Sequence, residues 1–113
     1  MSETLFEKII NKEIPSDIIY EDDQSIVIKD INPQAPVHLL IIPKKPIPML
    51  SKATESDKEL LGHLMLVAGK LSKLLILDDT FNIVINNGEN AGQTIFHLHL
   101  HLLSGKSFNW LPA

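Results

Sequence analysis

Residues 95–105 read IFHLHLHLLSG. Phe96, Leu98, Leu100 and Leu102 alternate there with His97, His99 and His101. Alternation at period two marks a strand, because successive side chains point to opposite faces of a sheet. The apolar set must then face a core. The three imidazoles line the other face, roughly 7 Å apart at about 3.3 Å per residue. Three of the chain's five histidines lie in this one row.

A strand with one wholly apolar face needs partners, and the rest of the chain supplies them. TLFEKIINK (4–12) predicts a short helix capped by Thr4, with Leu5, Phe6 and Ile9 turned inward and Pro15 closing it. SDIIYEDD and SIVIKD read as two short strands around an acidic turn at Asp22–Asp23. In the second, Ile26, Ile28 and Asp30 share a face. INPQAP is a loop stiffened by Pro33 and Pro36. VHLLIIP is a mostly apolar strand in which His38 alternates with Leu40 and Ile42, closed by Pro43. FNIVIN adds another strand, and NGENAGQT is a glycine-bearing loop leading into the histidine row.

Residues 55–77 predict the one long helix, capped by Ser51 or Thr54, with Glu55, Asp57 and Glu59 at the positive end of its dipole. Leu60, Leu61, Leu64, Val67, Ala68, Leu71, Leu74 and Leu75 recur at helical spacing. Met65 and Leu66 widen the stripe beyond what one face needs. Either the helix is simply well buried, or a second copy of the chain covers the excess. The order helix, strands, helix, strands, with antiparallel pairing and helices on one face, gives an α+β class.

The 113 residues fit one domain spanning 1–113, and 44% hydrophobic content excludes disorder. A net charge of −4 without a basic stripe argues against nucleic-acid polymers. The absence of cysteine excludes thiolate chemistry and cysteine-based zinc sites. The acidic start of the chain is unlike a signal peptide and no apolar run reaches membrane-spanning length, so a soluble cytoplasmic protein is expected.

Three readings of the histidine row compete. It is a solvated outer face, a metal site completed by His38 or Asp30, or a centre for phosphoryl chemistry with histidine as nucleophile. The loop directly upstream favours the third. Gly88 and Gly92 let backbone N–H groups approach an anion, and Gln93 and Thr94 offer side-chain donors.

HLHLHLL further resembles the His-apolar-His-apolar-His-apolar-apolar signature of the histidine triad (HIT) superfamily. YEDDQSIVIKDINPQAPVHLLIIPKK, LLGHLM, INNGENAGQTIFHLHLHLLSG and the terminal NWLP resemble its Hint branch over almost the whole chain. The resemblance implies a five-stranded antiparallel sheet with one long and one short helix, and two subunits forming a continuous sheet through the long helix and a neighbouring strand. It implies hydrolysis of the P–N bond in purine nucleoside 5′-monophosphoramidates, with His99 as nucleophile. His101 would contact phosphate oxygens and help protonate the leaving amine, and His97 and His38 would support them. Asp30 would hold the ribose with Ile31 beside it. Asn86, Gly92, Gln93 and Thr94 would lie on the phosphate side. Phe6, Ile9 and Ile28 would line the base pocket, and Trp110 would reach the partner's site.

Three positions depart from the branch pattern. Ile28 stands where an aromatic is common, Thr94 where serine is common, and no N-terminal cysteine pair is present, so neither zinc nor another cofactor is expected. His63 lies outside the motif and reads as structural. A dinucleoside polyphosphate hydrolase, or a nucleotide-binding module with little catalysis, are the alternative functions.

Overall fold

In the computed structural model, which describes residues 3–110, five strands form one antiparallel sheet in the order β1-β2-β3-β5-β4. They are β1 (Ile18–Glu21), β2 (Ser25–Lys29), β3 (Val37–Pro43), β4 (Asn82–Val84) and β5 (Leu100–Ser104), with helices α1 (Leu5–Ile10) and α2 (Lys58–Leu74). The class is α+β, as expected. No described helix is long and apolar enough to cross a membrane.

The central strands carry runs of apolar residues because both faces of the sheet are covered. Val27, Leu39, Ile41, Leu98, Leu100 and Leu102 pack against Leu60, Leu64, Val67, Ala68 and Leu71 of α2. Ile26, Ile28, Leu40 and Ile42 pack on the other side against Phe6 and Ile9 of α1. The helices therefore sit on opposite faces, not on one. Each fully buried side chain of this size contributes about 1.5–3 kcal/mol.

Thr4 caps α1 through a capping box with Glu7, satisfying two otherwise unpaired N–H groups. Leu5, expected inside, is 43% exposed. The long helix is shorter than its sequence pattern. A 3-10 turn at Glu55–Asp57, capped by Thr54, precedes it. Leu74, Leu75, Met65 and Leu66 are exposed, so the edge and C-terminal end of the apolar stripe face outward while its centre is buried.

The last strand is also shorter than the alternation predicts. Its ladder with β3 ends at the Ile41–Leu100 pair, because Pro43 has no N–H to continue it. Residues 95–99 are held instead by a hydrogen bond from Leu98 N–H to the Ile47 carbonyl and by side-chain contacts. His97 and His99 thus precede β5, and only His101 lies within it.

His63 ties α2 to the β1–β2 turn through a 2.7 Å hydrogen bond to Asp22. Burial alone would raise the Asp22 pKa. Hydrogen bonds from Gln24 N–H, His63, Tyr20 and Ser25 outweigh it and hold the carboxyl far below its usual range.

Candidate active site

The imidazoles meet where β5 runs beside β3. His38 of β3 lies diagonal to His101 of β5 on the face that α1 covers, and their Nε2 and Nδ1 atoms are 2.9 Å apart. The Gln34 backbone N–H donates to His38 Nδ1 at 3.0 Å. That bond leaves the His38 ring proton on Nε2, where it is donated to His101 Nδ1. His101 must then carry its own proton on Nε2. His99 Nδ1 lies 2.8 Å from the His97 carbonyl and donates to it. The second nitrogen of His99, Nε2, keeps a bare lone pair. His97 donates from Nε2 to the Pro43 carbonyl at 2.7 Å, while its Nδ1 is buried without a partner. Only His101 of the row is partly exposed. His97 is fully buried and His99 is 8% exposed.

Phe6 packs edge-on against His99, with ring centroids 4.9 Å apart, and against His97 at 6.1 Å. Burial lowers the pKa of His99 and of His97. His101 is pushed down to about 4 by burial and then by the neighbouring His99 and His38, with Asp30 opposing. The triad rings are therefore neutral at neutral pH: His99 presents a bare Nε2 lone pair and His101 a neutral N–H donor.

A cavity of about 730 Å³ opens onto these two rings and His38. Phe6, Ile9, Ile28, Asp30, Ile31 and Thr94 line it. His97, Asn86, Gly92, Gln93 and Trp110 are not among its lining residues. Trp110 is 93% exposed, and the Leu111 and Pro112 that follow it lie outside the described residues. Leu5, Ile14, Pro15, Ser16, Asp17, Gln34, Leu40 and Ile95 also line the cavity and were not expected. Gln34 is the consequential omission. Its contribution is a backbone N–H, which no side-chain motif can signal.

A family model described as the HIT domain matches residues 11–108. The chain belongs to the histidine triad (HIT) family. An uncharacterized HIT-like protein of Synechocystis is 57% identical over 98% of this chain and 97% of its own length. A 14 kDa zinc-binding protein of Zea mays is 48% identical, covering 99% and 89% of the two chains. The crystal structure of a HIT family hydrolase from Legionella pneumophila superposes with a TM-score of 0.95 at 40% identity, covering 98% of this chain and all of the other. Family model, relatives and solved structures agree on the HIT fold over nearly the whole chain.

In this HIT protein the loop upstream of the triad differs from the expected anion cradle. Gly88 N–H donates to Gln93 Oε1 at 2.8 Å, Gly92 N–H to the Glu89 carbonyl, and Gln93 N–H to the Gly88 carbonyl. The Gln93 amide donates to the Pro48 and Ile95 carbonyls, and the Asn86 amide to the Ala91 carbonyl. These groups brace the loop rather than face the cavity. Gly92 holds φ +96°, a conformation that residues with a Cβ rarely adopt, so glycine suits this corner.

Ligand atoms of Asp30, His38 and His101 lie within 4.8 Å of one another, a spacing that a cation can bridge. The Gln34 N–H works against that use. It occupies the Nδ1 lone pair of His38 and puts the ring proton on Nε2, the atom a metal would need. The donor set fits a hydrogen-bond chain better than a metal centre.

Proposed function

We propose that this protein hydrolyses purine nucleoside 5′-monophosphoramidates through a nucleotidyl-His99 intermediate. The observation that carries the reading is the tautomer of His99, whose Nδ1–H is held by a main-chain carbonyl so that Nε2 is free to attack. In the first step His99 Nε2 bonds to phosphorus, the P–N bond breaks, and the amine leaves with a proton. In the second, water attacks the same phosphorus and gives up a proton that replaces the one lost to the amine, the P–Nε2 bond breaks, and the nucleoside monophosphate departs with neutral His99 restored. His101 supplies its Nε2–H to the phosphoryl oxygens and the departing amine. His97 acts through its main-chain carbonyl.

Asp30 accepts from the ribose hydroxyls, and Phe6, Ile9 and Ile28 flank the base. The cavity lies within the roughly 300–1,000 Å³ of ligand sites in general. Thr94 lies at the phosphate end. A homodimer covers the exposed Met65 and Leu66 of α2 and extends the sheet from β4, bringing Trp110 toward the partner's site. The zinc in the name of the maize relative has no counterpart in this scheme.

Turnover of adenosine 5′-phosphoramidate, compared with a dinucleoside polyphosphate, tests the assignment. The His99→Ala variant is expected to bind AMP and to release no amine. Undiminished turnover by that variant, or turnover of the polyphosphate alone, contradicts it.

A further inference from the structure

We propose that Asp30 couples sugar recognition to the proton arrangement of the catalytic imidazoles, so that a ribose cis-diol speeds phosphoryl transfer as well as strengthening binding. The inference rests on the nucleotide-hydrolase reading above. Asp30 Oδ1 accepts the Asn32 N–H at 2.8 Å, which fixes the carboxylate and leaves Oδ2 for other partners. Oδ2 lies 3.3 Å from His38 Nε2, and the same nitrogen lies 2.9 Å from His101 Nδ1. One proton on His38 therefore serves two acceptors. His38 cannot turn to give each acceptor its own donor, because the Gln34 N–H holds its other nitrogen and the ring is 6% exposed.

A ribose hydroxyl that donates to Oδ2 satisfies part of the carboxylate's charge and weakens its pull on the His38 proton. The proton then settles on the line to His101 Nδ1. Stronger donation to Nδ1 makes the His101 Nε2–H a better donor, since linked hydrogen bonds polarise one another. That N–H is the group aimed at the phosphoryl oxygens. Asp30 is thus a positioning residue that acts through His38 and His101, and the sugar is read in kcat.

The test compares adenosine 5′-phosphoramidate with its 2′,3′-dideoxy analogue. In the native protein kcat is expected to fall about tenfold for the analogue, the equivalent of one charge-assisted hydrogen bond. In the Asp30→Asn variant the ratio of the two kcat values should approach one. A ratio carried by KM alone, or one that survives Asp30→Asn, overturns the coupling. A second measurement does not need turnover. Nitrogen-15 NMR of the imidazoles at saturating adenosine should shift the His38 and His101 resonances, and 2′,3′-dideoxyadenosine should leave them near their free positions. Equal shifts with the two nucleosides overturn the coupling, as does a failure of adenosine to bind. A protein that shifts as expected but hydrolyses neither phosphoramidate loses the hydrolase assignment and with it the rate effect, while the link from sugar to imidazole protons stands.

Discussion

Replacing His97 by alanine separates the two kinds of work done by the triad. The side chain is fully buried, donates to the Pro43 carbonyl at 2.7 Å and does not line the cavity. Removing it deletes a buried hydrogen bond, about 1–3 kcal/mol, and leaves a void under Phe6 costing about 1–2 kcal/mol more. Loss of the unpartnered Nδ1 returns about 1 kcal/mol. The net cost is about 1–4 kcal/mol, which for a domain of this size lowers Tm by roughly 5–20 °C. The carbonyl that holds His99 belongs to the main chain and survives the substitution. His97→Ala should therefore lower kcat by no more than about tenfold, against about ten-thousandfold when the nucleophile itself is removed. Thermal denaturation and single-turnover amine release measure the two effects on one preparation. A His97→Ala protein that is folded at the assay temperature, yet as inert as His99→Ala, would refute this division of roles.

Other outcomes follow from the same geometry. Burial lowers the pKa of His99, so protonation of its Nε2 begins only below the usual imidazole range. The profile of kcat/KM should be flat through neutral pH, with its acid limb below the ordinary imidazole range, and an acid limb centred above pH 7 contradicts the burial argument. The unfolded chain binds a proton at His101 near pH 6.5 and the folded chain only near 4, so stability should decline as pH falls through that window, as denaturant titration at pH 7 and pH 5 will register. Met65 is half-exposed on α2, so Met65→Glu should turn the proposed dimer into a monomer in light scattering at unchanged fold, and a native protein that is itself monomeric removes the dimer from the account.

The sheet was legible because its strands carry period-two or continuous apolar runs, and α2 because its stripe holds helical spacing over several turns. The side of the sheet taken by α1 was not. Six residues show which faces are apolar but not which layer receives them, and that was decided by the second apolar face of β2 and β3. The final strand was overread because alternation of Leu and His persists through residues 97–99, where Pro43 has already ended the ladder. At the site, residue types were legible and hydrogen-bond partners were not. His38, His99, His101 and Asp30 converge because β2, β3 and β5 are neighbours. Gln93 and Asn86 looked like anion donors by type, but their amides brace the loop that carries them. The Gln34 N–H, which sets the tautomers of two histidines, has no side-chain signature.

The central claim is that His99 becomes covalently bonded to phosphorus. Rapid quenching of the native protein with adenosine 5′-phosphoramidate, followed by peptide mass spectrometry under conditions that preserve phosphoramidates, should find an AMP adduct on His99 that forms and decays at rates matching turnover. Turnover without any such adduct, or an adduct confined to His97 or His101, contradicts the account.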